Sequence, residues 1–168
     1  MSRVDIADTG LFLAMGKPSN SRFQAVRRFA RRNHLTFLLP ERVYAELTDG
    51  SDREEVPVDA AIDDGWAVIA APLDFSEPIV SRTMDGVQRY IAHAADRPAD
   101  EIERADAALA ALAAQHLRAG AATEAYIYTT DIAAGEGAET VLGDEGYADS
   151  VTFVNGFRFI EDLCSTDG

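Results

Sequence analysis

The stretch VDIADTGLFLAMG, residues 4–16, decides how the chain is read. Val4 to Ala7 form an apolar run and Leu11 to Met15 have helical composition, so a buried strand runs into a helix with Asp8-Thr9 at the joint. An unpaired carboxylate is costly to bury. Either Asp8 caps the helix, which is worth about 1 kcal/mol, or something else neutralises it.

The same alternation continues along the chain. Apolar runs at 36–40 (TFLLP), 66–70 (WAVIA), 126–129 (YIYT) and 151–160 (VTFV with FRFI) predict further strands. Helices are predicted over 10–16, 20–33, 41–48, 56–64, 79–95, 101–119 and 134–142, punctuated by Gly and Pro. This pattern implies an α/β domain with a mostly parallel sheet, because strands apolar on both sides need helices on both faces. A single domain is expected over residues 1–160, with 161–168 as a flexible tail.

At 168 residues and 47% hydrophobic content the chain can enclose a core. Its net charge is −14, with pI near 4.4, from 17 Asp and 12 Glu against 14 Arg and a single Lys, Lys17. An acidic, almost lysine-free surface suits an extreme halophile, since at about 1 M salt the Debye length falls to ~3 Å and self-repulsion is screened. The charge then reports on solvent and says little about partners. The lone Cys164 allows neither an internal disulfide nor a thiolate zinc site, and fits a reducing compartment. The start, MSRVDIAD, lacks the marks of a signal peptide, and no apolar run approaches the ~20 residues that span a bilayer. A cytoplasmic protein with no membrane partner is expected.

Ligands of open parallel sheets collect at the carboxyl ends of the strands. Asp8 and Asp131 both follow predicted strands and precede predicted helices. Asp106, in EIERADAALAALAAQHL, shares a stripe with Ile102, Leu109, Ala113 and Leu117, where a residue of poor helix propensity needs either a function or an arginine partner. Glu46, in PERVYAEL, flanks the inward face set by Val43 and Leu47. Like charges 4 Å apart cost ~4 kcal/mol at an effective dielectric of 20, so four such acids coexist only with raised pKa values or a bound cation. All-oxygen ligation without Cys or paired His selects Mg²⁺ or Mn²⁺.

These segments resemble the PIN domain, a nuclease fold that includes the VapC-type toxins of toxin–antitoxin pairs. DTGLF, PERVYAEL, ERADAALAALA and YTTDIAA occur in the family's order, and the resemblance covers most of the chain. It implies a three-layer α/β/α sandwich that binds Mg²⁺ or Mn²⁺ and hydrolyses phosphodiester bonds of single-stranded or structured RNA. Carried over by position, Asp8, Glu46, Asp106 and Asp131 would be the catalytic and metal-holding acids, with Thr9 and Thr129 as polar supports. RNA, an antitoxin protein and a second copy of the chain are the partners it suggests. The chain is longer than the small toxins, with extra residues around 50–100, and Cys164 alone excludes the zinc ribbon of some ribosomal-RNA-processing relatives. The alternative is a catalytically inactive PIN-like binding or regulatory module.

RFQAVRRFARRNH carries Arg22, Arg27, Arg28, Arg31 and Arg32, a third of all Lys and Arg. Arg27 with Arg31 and Arg28 with Arg32 stack at i, i+4 beside Phe23, Val26 and Ala30, as an RNA-binding face or as cations complementing a helix dipole. His34, His93 and His116 have no metal-ligand spacing, and Trp66, Phe29 and Phe37 are expected in the core. A haloacid-dehalogenase-type phosphatase would need a second Asp two residues after the first, where Gly10 stands. No Gly-rich loop followed by Lys and Ser or Thr supports an NTPase.

Overall fold

The computed structural model describes residues 2–48, 56–102 and 104–166. Five strands, β1 (Arg3–Ala7), β2 (Phe37–Leu39), β3 (Ala67–Ile69), β4 (Glu124–Thr129) and β5 (Val151–Asn155), form one sheet in the order β3-β2-β1-β4-β5. Every pairing is parallel, in register from Arg3↔Glu124 to Ala7↔Tyr128 between β1 and β4. The chain winds from β1 through β2 to β3, then returns to build β4 and β5 on the other side of β1. Order therefore reverses between β1 and β4, which opens a crevice at their carboxyl ends.

Helices cover both faces. α1 (Thr9–Met15), α2 (Ser21–Arg32) and α8 (Gly156–Thr166) pack together on one, and α5 (Pro78–Ala95), α6 (Arg104–Ala119) and α7 (Ile132–Leu142) on the other. α3 (Glu41–Thr48) and α4 (Pro57–Asp63) follow β2, with residues 49–55 between them outside the described segments. The extra length around 50–100 is thus spent on α4, β3 and the 18-residue α5.

The two faces solve packing differently. Beneath α1, α2 and α8 the filling is aromatic: Trp66 meets Phe12, Phe23 and Phe37 at centroid separations of 6.3, 5.3 and 6.2 Å, and Tyr128 meets Phe37 and Phe159 edge-on. Beneath α5 and α7 lies α6, whose residues Ala107 to Ala114 are all buried. Such an all-round apolar helix belongs inside a domain, and its alanines let the neighbouring helices approach closely.

Two expectations are corrected. FRFI is the first half of α8, not a strand, because Asn155 ends β5 and its Oδ1 accepts the N–H groups of Phe157 and Arg158. The tail expected to fray from residue 161 continues α8 to Thr166, with Ile160 buried, Leu163 and Cys164 packed against the core, and Phe159 stacked edge-on upon Phe29. The i, i+3, i+4 spacing of Ile160, Leu163 and Cys164 carries that signal. Residues 167–168 lie outside the described segments.

Candidate active site

Because all strands run one way, each strand–helix junction at the carboxyl edge faces the same side of the molecule. Asp8 follows β1 and Asp131 follows β4, across the crevice from one another. Both are N-caps: Asp8 Oδ1 accepts the Leu11 N–H at 2.7 Å, and Asp131 Oδ1 accepts that of Ala134 at 3.1 Å. A cap uses one oxygen. The other oxygen of Asp8 reaches across to β4, accepting the Thr129 hydroxyl at 2.5 Å and the Thr130 N–H at 3.2 Å. Thr129, fully buried, also accepts the Asp131 N–H at 3.0 Å, so one hydroxyl ties the two junctions together.

Asp8 is 6% exposed and every polar contact it makes is with a neutral group. Burial raises its pKa above the usual carboxylate range; the Thr129, Leu11 and Thr130 donors pull it back, and the charge of Asp131 pushes it up again. The crevice thus holds a buried acid and a like-charged neighbour without a cationic side chain between them in these contacts.

Glu46 stands on α3, with Val43 and Leu47 turned inward as expected. It is exposed, and its Oε2 accepts the Thr9 hydroxyl at 2.7 Å, which links α3 to the first residue of α1. Asp106 is placed differently from its predicted stripe. α6 begins at Arg104, so Ile102 lies before the helix and Asp106 is a half-buried first-turn acid, where the helix dipole favours it. α6 leads down to the start of β4, so its first turn sits at the carboxyl edge with the other acids. The fold therefore gathers all four at one edge, Asp8 and Asp131 most closely. Among the described residues no three His, Cys, Asp or Glu side chains converge tightly enough to ligate one ion by themselves.

Gly10 is the neighbour that sequence reading passed over. A Cβ there would fall 1.8 Å from Thr130 Oγ1 and 3.4 Å from Asp8 Oδ2, so only glycine lets α1 press against the β4 junction. Gly10→Ala is expected to cost about 1–3 kcal/mol by overpacking, read as a lower denaturant midpoint at unchanged slope.

Asp5, also unforeseen, is a buried acid of structural kind. Arg3 pairs with it at 2.5 Å while stacking 3.9 Å over the Tyr126 ring, and the Tyr128 hydroxyl donates to it at 2.9 Å. Burial and the Asp5 charge push the Tyr128 phenol up. A salt-bridged acid inside a strand has no sequence signal beyond Asp5 standing two residues from Arg3 in an apolar run.

The arginine face lies away from the acids. α2 ends where the chain drops to the start of β2, at the amino edge of the sheet, opposite the acids. There Arg27 and Arg31 meet Asp64, the C-terminal residue after α4, at 2.7 and 2.5 Å. These two guanidinium groups serve the fold's far end, and Arg28 and Arg32 lie on the same helix.

A search of curated proteins finds no match. A family model described as the halobacterial PIN domain matches residues 1–167, and that source agrees with the acidic, almost lysine-free composition. With a five-stranded parallel sheet and acids gathered at its carboxyl edge, the chain belongs to the halobacterial PIN domain family.

Proposed function

We propose that this PIN domain is a metal-dependent endoribonuclease. The observation that carries the reading is the pair at the crevice: buried Asp8, held only by neutral donors, with its pKa raised in part by Asp131. A hard cation would relieve that repulsion. The donor set, carboxylates and threonine hydroxyls without Cys or His, suits Mg²⁺ or Mn²⁺. Mg²⁺ usually keeps several waters and takes one or two carboxylates directly, so Asp8 and Asp131 would hold it, with Glu46 and Asp106 reached from the same edge. Once bound, such an ion supplies Lewis-acid chemistry, acidifying water and drawing charge from the phosphate.

The chain's own part is orientation and proton transfer. Thr129 fixes Asp8, and Thr9 fixes Glu46 at Oε2. Glu46, exposed beside the crevice, would take the proton of the attacking water as a P–O bond forms and the bond to the leaving ribose oxygen breaks.

Single-stranded RNA incubated at molar salt with Mn²⁺ should be cut, and cutting should stop on chelation. The melting temperature should rise with Mn²⁺: at a hundredfold excess over Kd the gain is about 2.7 kcal/mol, or roughly 5–10 °C for a chain of this size. A second reading, a non-catalytic binding module, is favoured by the lack of a three-acid convergence among the described residues; an unchanged melting temperature with no cleavage selects it. An antitoxin and a second copy of the chain are partners suggested by the family, tested by light scattering and by a small reading frame beside this one.

A further inference from the structure

We infer that a nucleotide of single-stranded RNA sits between Glu46 and the loop bearing Phe75, its phosphate on Arg42 and Arg104 and its base against Phe75. This rests on the nuclease reading above.

Two concavities meet at the carboxyl edge. One, about 660 Å³, has Arg42, Glu46 and Arg104 on its walls. The other, about 160 Å³, is walled by Pro40, Glu41, Pro72, Leu73 and Phe75 and floored by Ala108 and Leu112 of α6, so that apart from Glu41 and Arg42 at its rim its lining is apolar. Arg42 lines both, so the apolar pocket opens beside a cation and the cation beside Glu46. Phosphate and base are joined in that same order in a nucleotide.

The two arginines stand out by where they are, on the walls of the cleft that holds Glu46. Arg3, Arg27, Arg31, Arg82 and Arg97 each meet a carboxylate. Among the described residues Arg42 and Arg104 form no ion pair, as is also true of Arg22, Arg32, Arg89, Arg118 and Arg158, but Arg42 and Arg104 are the two that line the cleft with Glu46. Guanidinium forks match phosphate oxygens. Asp100 and Glu101 share the cleft wall; Glu101 is engaged by Arg97 at 3.6 Å, and at molar salt a carboxylate more than ~3 Å away is screened from an incoming phosphate.

Phe75 is the second oddity, an aromatic ring 47% exposed on a loop that is held in place. Its carbonyl accepts the Ser81 hydroxyl at 3.0 Å, the Asp74 N–H donates to Gln115 Oε1 at 2.7 Å, and Ser76 folds back on Asp74. A pinned backbone beneath an open ring is a stacking platform prepared in advance. Stacking does not weaken as counter-ions accumulate, whereas phosphate contacts do. In molar salt the ring would carry more of the affinity than the arginines.

The test uses the whole chain and a fluorescein-labelled single-stranded RNA of about ten nucleotides, within the usual range for single-strand binders. Anisotropy in chelator gives Kd, and Mn²⁺-supported cleavage gives KM and kcat. Phe75→Ala should raise Kd and KM about tenfold at every salt concentration, with kcat and melting temperature unchanged, and Phe75→Trp should restore both. Arg42→Gln and Arg104→Gln should each lower the slope of log Kd against log salt by about 0.7. If the wild type cleaves RNA and all three variants keep its Kd, KM and salt slope, the seat is overturned and the nuclease reading stands. If the wild type binds RNA without cutting it and the variants weaken binding, the seat stands and the nuclease reading falls. A wild type that neither binds nor cuts overturns both. A Phe75→Ala chain that changes oligomeric mass while keeping RNA affinity assigns the ring to a protein contact instead.

Discussion

Asp8→Asn is expected to lower RNA cleavage by about 10³-fold or more and to abolish the Mn²⁺-dependent rise in melting temperature, with the fold intact. The size follows from the several kcal/mol that a Lewis acid contributes, at 1.36 kcal/mol per factor of ten. The intact fold follows from the contacts. Asparagine keeps one oxygen, which can cap the Leu11 N–H or meet the Thr130 N–H but not both, a loss of about 1 kcal/mol. Against that it removes a charge whose burial is unfavourable. The two effects oppose, so metal-free stability should move by less than about 1 kcal/mol, whereas the metal response should vanish.

The pH dependence has a definite sign. Burial, and to a smaller degree Asp131, raises the folded pKa of Asp8 above its unfolded value. The folded chain therefore holds this proton more tightly than the unfolded one, and the Asp8 contribution to metal-free stability falls as pH rises from the unfolded pKa through the raised folded one. Ordinary paired carboxylates behave oppositely. Subtracting the Asp8→Asn melting profile from that of the wild type isolates the Asp8 part, and a difference that grew with pH would refute the repulsive crevice. Saturating Mn²⁺ should erase the fall.

Deleting α8 at Gly156 should unfold the protein or bring its melting temperature close to ambient. Phe159 packs edge-on against Tyr128 and Phe29, Ile160 is buried, and Leu163 packs part-buried against the core, where fully burying a large apolar side chain is worth about 1.5–3 kcal/mol. One full and two partial burials come to several kcal/mol, a large share of the margin of about 5–15 kcal/mol that keeps a domain of this kind folded. Circular dichroism of the truncated chain reads the outcome directly. A cooperative melt near that of the full chain would show that α8 adds nothing to the stability of the fold.

Fold class, and the placing of Asp8 and Asp131 at strand–helix junctions, could be read before any coordinates, because both depend on local pattern. Apolar strands such as Val4–Ala7 alternate with helices, a parallel sheet puts every strand's carboxyl end on one edge, and the junctions after β1 and β4 carry Asp8 and Asp131. Local pattern misled where composition suited two structures. FRFI fits a strand as well as a helix, and only the cap from Asn155 and the contact with Phe29 decide for α8. Asp106 looked mid-helical because α6 was predicted to start earlier than Arg104.

What no single segment contains is direction. The arginines of α2 form the densest basic run in the chain, yet the topology sends the end of that helix to the amino edge, where Asp64 takes Arg27 and Arg31. Arg42 and Arg104, unremarkable in sequence and 62 positions apart, are brought to one cleft beside Glu46. The chain by itself determined which residues are apolar, which are acidic and in what order they come, since those are properties of side chains and their spacing. Which charges share an edge was decided only by the tertiary structure, because Coulomb energy and hydrogen bonding depend on distance in space and the fold sets those distances.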